Sequence, residues 1–344
     1  MKFDKIATIL MLTLIIAGAA FYFSDQEMEK VEDRDGGVVF LSGLMSKINQ
    51  VAQVIVTEEQ SSTHLKLKDN RWIVEEKAGY DAEFSKVKKL LLGLAELKTI
   101  EPKTSKPENY GRLGVQNVGD DGEVSSRQVQ LLDKADNVLY TLIVGKSKTS
   151  SVPGAGATYV RRLNEAESWL VNGEIDIPDS QIDWLNKAII NLSASRIQSI
   201  EITQPDKSQL LISKKEKADK NYHVENLPDK AELKSENVAN SIANALQNLS
   251  FDEVLSRGTF QADDKKITQV VFKTFDGLQL MAQLSIRDDK NFLWFDTKTT
   301  SDDEKITQES SDLNAKFALW VYEISSAKAS TFQKKLEELL KTEG

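Results

Sequence analysis

The 344-residue chain contains no cysteine and only two histidines, and these absences remove several kinds of chemistry. Without cysteine there is no disulfide bond, no thiolate nucleophile and no cysteine-ligated zinc or iron–sulfur site. His64 and His223 lie far apart, and neither has a second histidine three to five residues away. Histidine-based metal or triad chemistry is therefore poorly supported, and we expect both to be structural or surface residues.

Acidic residues outnumber basic residues in this chain. Lysine and arginine total 44 against 53 acidic residues, which gives a net charge of −9, and no basic block interrupts the chain. Binding to a phosphate backbone requires clustered lysine and arginine. The composition therefore argues against nucleic acid as a partner.

Sequence signatures of catalysis are missing as well. Gly145-Lys146-Ser147 resembles the end of a phosphate-binding loop, but Tyr140 stands where that motif requires glycine. G-x-S-x-G and H-E-x-x-H do not occur. Acidic pairs such as Asp288-Asp289 lack the spacing of a calcium loop, so we expect solvated turns, with a weak ion site as the alternative. We predict no enzymatic activity, cofactor or metal; an enzyme that uses carboxylates alone is the remaining catalytic alternative.

A long uncharged run lies near the N-terminus. Residues 6–23 would span roughly 27 Å as a helix, close to the thickness of a bilayer core. Lys2 and Lys5 precede this run and acidic residues follow it, so the positive-inside tendency places the rest of the chain outside the cytoplasm. We predict an uncleaved transmembrane anchor over residues 1–24. The alternative is a cleaved signal peptide, because Ala17-Gly18-Ala19 offers small residues for cleavage.

Beyond the anchor, the sequence predicts a spacer and two similar lobes. Residues 25–37 are acidic and nearly free of large apolar side chains, which is typical of a solvated linker. From Val38 onward the same order of elements occurs twice, over residues 38–195 and 196–344. Each lobe is expected to be an antiparallel sheet with an amphipathic helix on one face, so the predicted fold class is α+β.

Local patterns define the expected elements. Alternating apolar residues predict strands in the first lobe over 51–57, 64–68, 72–76, 127–132, 138–145, 157–163 and 168–172. In the second lobe the same pattern predicts strands over 199–203, 209–213, 221–225, 267–274, 278–286, 292–298 and 317–325. Helical spacing of apolar residues predicts helices over 84–97, 181–192, 235–249 and 332–340. Asp276-Gly277, between two predicted strands, predicts a type I′ hairpin turn.

The five tryptophans could be core residues or an exposed platform that stacks on a sugar or peptide. Four lie in alternating strand patterns and one lies on a predicted helix, which favours the core. They are Trp72, Trp169, Trp184, Trp294 and Trp320.

Several segments together suggest a family. In order they are RWIVEE (71–76), Tyr80-Asp81-Ala82, KVKKLLLGLAELK (86–98), KPENYGRLGV (106–115), LYTLIVGK (139–146), TYVRRL (158–163), SWLVN (168–172) and WVYEIS (320–325). Their order and spacing resemble a bacterial family known as domain of unknown function 4340. The resemblance implies a single-anchor protein of the inner membrane with a periplasmic bulk, and several members are similar in gene setting to auxiliary components of gliding-motility-type ABC transport systems. It transfers no catalytic residues.

The leading functional hypothesis is a non-catalytic scaffold or adapter that contacts an envelope or transport protein. Loops on a rigid scaffold are the expected contact sites. We predict contacts through Tyr110 and Arg112 in one loop and through Gly154 and Gly156 in another. The alternative is a binding protein for a small molecule or envelope polymer in a cleft between the lobes.

Overall fold

The computed structural model describes residues 37–119, 126–148 and 156–341. The predicted anchor, nearly all of the predicted linker and the contact candidate Gly154 lie outside these residues. Within the described ranges, no helix is both long enough and apolar enough to cross a bilayer.

The described chain is a mixed α+β protein dominated by antiparallel sheet, which confirms the predicted fold class. It divides into two compact units. The first comprises Met1–Trp72 and Phe84–Pro178, and the second comprises Ile73–Glu83 and Asp179–Gly344. The second unit therefore includes a segment that the sequence pattern places inside the first lobe.

The helices and strands are given in chain order. Through Asn172 they are α1 (Leu44–Lys47), β1 (Gln53–Thr57), β2 (Ser62–Lys68), β3 (Arg71–Val74), β4 (Tyr80–Asp81), α2 (Phe84–Glu96), β5 (Thr99–Thr104), α3 (Tyr110–Leu113), β6 (Arg127–Leu132), β7 (Val138–Lys148), β8 (Ala157–Arg162) and β9 (Ser168–Asn172). From there they are β10 (Ala188–Ile190), β11 (Ile197–Thr203), β12 (Gln209–Ser213), β13 (His223–Val224), α4 (Asn240–Ala243), β14 (Leu249–Ser250), β15 (Glu253–Ser256), β16 (Ile267–Thr274), β17 (Leu278–Arg287), β18 (Lys290–Thr299), α5 (Glu304–Phe317), β19 (Trp320–Ile324) and α6 (Ser326–Phe332).

The two large sheets share one strand order. From β3 onward the first sheet runs β3-β2-β1-β6-β7-β8-β9-β5, and the second runs β13-β12-β11-β16-β17-β18-β19-β15. Each strand of the second sheet thus takes the position of the strand numbered ten lower. A two-stranded sheet, β10-β14, lies apart from both.

Helix α2 supplies much of the core of the first unit. Its apolar residues recur at helical spacing, and Val87, Leu90, Leu91 and Leu94 are all buried. Burying each such side chain stabilises the fold by about 1.5–3 kcal/mol, which helps to offset the entropy lost when the helix forms. The structure places this helix close to its predicted range of 84–97.

Other helix predictions were wrong. The segment 181–192 forms a short 3₁₀ turn (Gln181–Trp184) and then β10, whose buried Ile189 and Ile190 pack as strand residues. The predicted helix over 235–249 contracts to α4 and a 3₁₀ turn. The amide oxygen of Asn240, the first residue of α4, accepts a hydrogen bond from the backbone N–H of Tyr222.

The C-terminal segment also departs from prediction. The expected helix over 332–340 is replaced by α6, which ends at Phe332, and by a 3₁₀ turn over Leu336–Leu339. Helix α5, which the apolar pattern did not predict, buries only Ser310 and Phe317.

The hairpin at Asp276-Gly277 forms, but its turn is not type I′. Only Gly277 has a positive φ, of 93°, whereas type I′ needs positive φ at both central residues. Two other dipeptides meet that requirement: Asp69-Asn70, with φ of 50° and 61°, and Asp288-Asp289, with φ of 52° and 60°. Asparagine and aspartate tolerate this conformation, so the acidic pair at 288–289 has a turn-forming role.

The tryptophans are mostly core residues. Trp72, Trp184 and Trp294 are buried, while Trp169 and Trp320 are half-buried. The described part of the molecule therefore offers no row of exposed tryptophans for stacking on a ligand.

The segment Ile73–Glu83 is fixed in the second unit by an aromatic cluster. The buried ring of Tyr80 meets Phe251, Trp320 and Tyr322 edge-on, with centroid distances of 5.2, 5.0 and 6.3 Å. Such aromatic pairs contribute about 0.5–1.5 kcal/mol each beyond the area that they bury. Lys77 adds an ion pair of 2.7 Å with Glu253, so contacts at two points along the segment tie it to this unit.

Replacing Tyr80 with alanine should lower the free energy of unfolding by about 3–5 kcal/mol, because it opens a cavity among these rings. Phe84→Ala is the matched control, since Phe84 is 61% exposed and its loss should change stability by no more than about 0.5 kcal/mol. Urea unfolding followed by circular dichroism measures both. Equal effects of the two variants would contradict the assignment of Tyr80 to the core.

Three buried tyrosines should make the folded state less stable in alkali. Burial raises the pKa of Tyr80 and of Tyr222 to about 12, and it also raises the pKa of Tyr322. The folded state therefore keeps these protons at pH values where the unfolded state, with a tyrosine pKa near 10, has lost them. Stability should be unaffected by these groups below about pH 10 and fall above it, by at most about 1.4 kcal/mol per pH unit for each tyrosine.

A pH titration that records tyrosinate absorbance together with circular dichroism tests this expectation. The buried tyrosines should ionise only as the protein unfolds. Ionisation of every tyrosine near pH 10 with the fold intact would contradict it.

Candidate functional site

The connection between β5 and β6 forms a compact loop, residues 106–119, which we call the YGRLG loop. It contains a 3₁₀ turn (Pro107–Asn109) followed by α3. Gly114 ends α3 with a φ of 70°, a conformation that glycine adopts without steric cost. The backbone N–H of Val115 then donates to the carbonyl of Tyr110 at 3.1 Å, which closes the turn.

A buried arginine on β8 holds this loop. Arg161 is only 4% exposed. Its Nε donates to the carbonyl of Val115 at 2.9 Å, and its Nη2 donates to the side-chain oxygen of Asn117 at 2.6 Å. Its Nη1 donates to the carbonyls of Leu163 and Glu165, both at 3.1 Å. The guanidinium is thus saturated with acceptors that two segments of the chain supply.

Tyr110 is the apolar counterpart of this arginine. Its ring centroid lies 4.5 Å from the guanidinium carbon of Arg161, within the range of a cation–π contact. Its hydroxyl donates to the carbonyl of Ala166 at 2.5 Å, and its ring packs with Val115 and Ile143. The Tyr110 side chain is therefore buried, and it holds the loop in place rather than offering itself to a partner.

The loop also lies directly against β7. A Cβ at Gly145 would overlap the carbonyl oxygen of Leu113 and would lie 2.8 Å from that of Gly114, so this position needs glycine. Lys146 Nζ donates to the carbonyl of Arg112 at 3.1 Å. Gly145 and Lys146, which resemble the end of a phosphate-binding loop, thus form the close contact between the YGRLG loop and β7.

The second predicted contact loop begins at the same end of β7. Lys148, the last residue of β7, pairs with Ala157 on β8, and Gly156 immediately precedes Ala157. The carbonyl of Gly156 accepts a hydrogen bond of 2.6 Å from the N–H of Gly173. The structure therefore brings Arg112 and Gly156 to one end of one strand, although they are far apart in sequence.

We call this region the β7 corner and define it by Arg112, Lys146, Lys148, Gly156 and Tyr159. The three cationic side chains are exposed. A hydrogen bond from Lys148 to Tyr159 raises the pKa of this lysine, whose Nζ lies 5.3 Å from the tyrosine ring. Within the part of the chain that the structure describes, the guanidinium of Arg112 has no hydrogen bond or ion pair. The corner is thus a cationic surface on a fixed backbone.

The arrangement presents cationic side chains beside a loop that the sheet positions. Over the described ranges, no group of three or more histidine, aspartate or glutamate side chains is placed to hold a metal ion. Loops that a rigid sheet positions are common sites of recognition.

Arg161 is the residue that sequence reasoning did not single out. Strand alternation was the available signal, because it places Arg161 on the same face of β8 as Tyr159 and opposite the buried Val160. An arginine on a covered sheet face must have hydrogen-bonding partners, and here the YGRLG loop supplies two of them.

Comparison with known proteins identifies the family. A family model described as domain of unknown function (DUF4340) matches residues 72–270, more than half of the chain. The chain belongs to this family, and the matched range includes the YGRLG loop and the whole β7 corner. No curated protein and no solved structure matches the chain.

Replacing Arg161 with methionine should lower the free energy of unfolding by about 3 kcal/mol or more, because several buried carbonyl groups lose their donor. The neighbouring Arg162→Met is the matched control. Arg162 is half-buried, pairs with Glu165 at 2.7 Å, stacks on Phe40 and donates a hydrogen bond to the Phe40 carbonyl, so its loss should cost about 1–2 kcal/mol.

Urea unfolding measures both variants, and hydrogen exchange at the Val115 amide reports on the loop itself. That amide should exchange faster in the Arg161 variant than in the Arg162 variant. Equal protection in both would show that Arg161 does not hold the loop.

Proposed function

We propose that this protein is a non-catalytic scaffold or adapter. It is anchored in a bacterial inner membrane by residues 6–23 and acts on the extracytoplasmic side as an accessory part of an envelope or transport complex. The observation that carries the proposal is the β7 corner, where an exposed Arg112, without an ionic partner among the described residues, projects from a loop that a buried arginine holds in place.

Preorganisation is what makes this loop a good contact surface. Binding costs free energy when a loop must be ordered at the interface, and a loop that is already fixed avoids that cost. Arginine is also among the residues that most often dominate binding energy at protein interfaces. A fixed loop with one exposed guanidinium has both properties.

The location rests on the sequence. An uncharged run of bilayer length, preceded by two lysines and followed by acidic residues, supports a single anchor with the bulk of the chain outside the cytoplasm. The acidic linker would then be a solvated spacer between the anchor and the folded units.

The test is retrieval of the partner. Full-length protein with a C-terminal tag is crosslinked in cells, solubilised in detergent and purified, and co-purifying proteins are identified by mass spectrometry. We expect one envelope or membrane protein in stoichiometric yield. Arg112→Glu should reduce its yield by about tenfold, the effect of losing about 1.4 kcal/mol of binding energy, while the melting temperature stays unchanged.

Lys298→Glu is the matched control, because Lys298 is an exposed cation on β18, outside the β7 corner. It should retrieve the partner as well as the wild type does. Equal retrieval by the Arg112 and Lys298 variants would remove the YGRLG loop as the contact site.

A further inference from the structure

The chemistry of the β7 corner indicates what kind of partner it receives. We infer that the corner binds an acidic segment of a partner protein, through carboxylates that pair with Arg112, Lys146 and Lys148. This inference rests on the proposed function and adds to it the chemical class of the partner.

The first ground is the clustering of like charge. Lys146 Nζ lies 3.1 Å from the carbonyl oxygen of Arg112, which places the two residues side by side. Lys148 follows two residues later on β7, a rise of roughly 7 Å along a strand. Three exposed cations at one end of one strand stand out in a chain with a net charge of −9.

The second ground is that the fold holds these charges in place. The pairing of β7 with β8 shifts register between Val144 and Ser147, which marks a bulge. Bulges commonly redirect a side chain, and this one coincides with the contact between Gly145 and the YGRLG loop. Tyr159 holds Lys148 from the β8 side, so two of the three cations have defined positions before any partner arrives.

The third ground is that the cations of the corner outnumber the acids beside them. The carboxylate of Glu174 lies against Gly156 and adds one negative charge to three positive ones. Glu101 attracts Lys148, but its hydrogen-bonded partner is Lys103. Glu165, in the turn after β8, pairs with Arg162. Across the ranges that the structure describes, the guanidinium of Arg112 has no ionic partner, and its planar fork matches the two oxygens of a carboxylate.

These features favour an acidic peptide over a lipid surface. Peripheral membrane binding combines basic residues with apolar side chains that enter the bilayer. None of the exposed large apolar side chains in the described ranges lies in the YGRLG loop, in residues 145–148 or in β8. Recognition of anionic headgroups is also typical of clusters of about four to eight cations, and the corner has three.

The experiment measures binding of a fluorescein-labelled deca-glutamate peptide to the full-length protein in neutral detergent micelles by fluorescence anisotropy. We expect saturable binding that weakens as salt rises from about 50 mM to about 300 mM, because the charges are exposed to solvent. The triple variant R112Q/K146Q/K148Q should bind at least about tenfold more weakly than the wild type.

The matched control is K265Q/K273Q/K298Q, which removes the same charge from exposed positions in the second unit. This control should bind the peptide like the wild type. Equal weakening in both triple variants would show a response to net charge alone and would overturn the inference. So would absent binding, or binding to anionic phosphatidylglycerol vesicles without binding to the peptide.

The outcome also separates this inference from the proposed function. If the Arg112-dependent partner is retrieved from cells but deca-glutamate does not bind, the scaffold role stands and the acidic class of partner is wrong. If neither occurs, both are wrong.

Discussion

The saturated guanidinium of Arg161 is the interaction on which the candidate site depends. A buried cation is tolerated only when hydrogen bonds satisfy its donors, and two of the acceptors here belong to the YGRLG loop. The position of the loop is thereby linked to the stability of the sheet. Tyr110 completes the arrangement by covering the guanidinium with an aromatic face. Arg112, two residues further on, is left in solvent.

In the second unit, the connection between β15 and β16 corresponds to the β5–β6 connection, and it is also held by arginine and aromatic side chains. Between β15 and β16, the ring of Phe260 packs against Phe292 and Trp294. The guanidinium of Arg287 lies 5.0 Å from the Phe260 ring, and Arg257 makes paired hydrogen bonds of 3.0 and 3.1 Å to Asp296. In both units, the loop that follows the edge strand (β5 or β15) packs on the sheet through an aromatic ring and contacts an arginine. The shared strand order is what makes the two loops comparable.

Most of the longer strands were accessible from sequence because they bury alternate residues, and that burial imposes a two-residue period. Strand β5, whose residues are all exposed or half-buried, and the short strands β4, β10, β14 and β15 were not predicted. The helices were harder to predict. Over 181–192, a 3₁₀ turn and a buried strand together imitate helical spacing. Helix α5 escaped prediction because it packs through few apolar residues, and Asn314 ties it to β18 by hydrogen bonds of 2.7 Å to the backbone N–H and C=O of Thr297.

The candidate site was predictable in part. Glycine and proline mark the YGRLG loop, and a polar loop of this kind is expected to expose Arg112. The inward orientation of Tyr110 and its pairing with Arg161 depend on contacts between residues about fifty positions apart, which no local pattern encodes. The meeting of the two predicted loops at one end of β7 likewise follows only from strand register.

The most direct test of the central claim, that the loop held by Arg161 presents Arg112 to a partner, is photo-crosslinking in living cells. A photoreactive amino acid at position 112 should give one dominant adduct with another protein, and the same residue at position 298 should not. No adduct from position 112, or the same adduct from both positions, would contradict the claim.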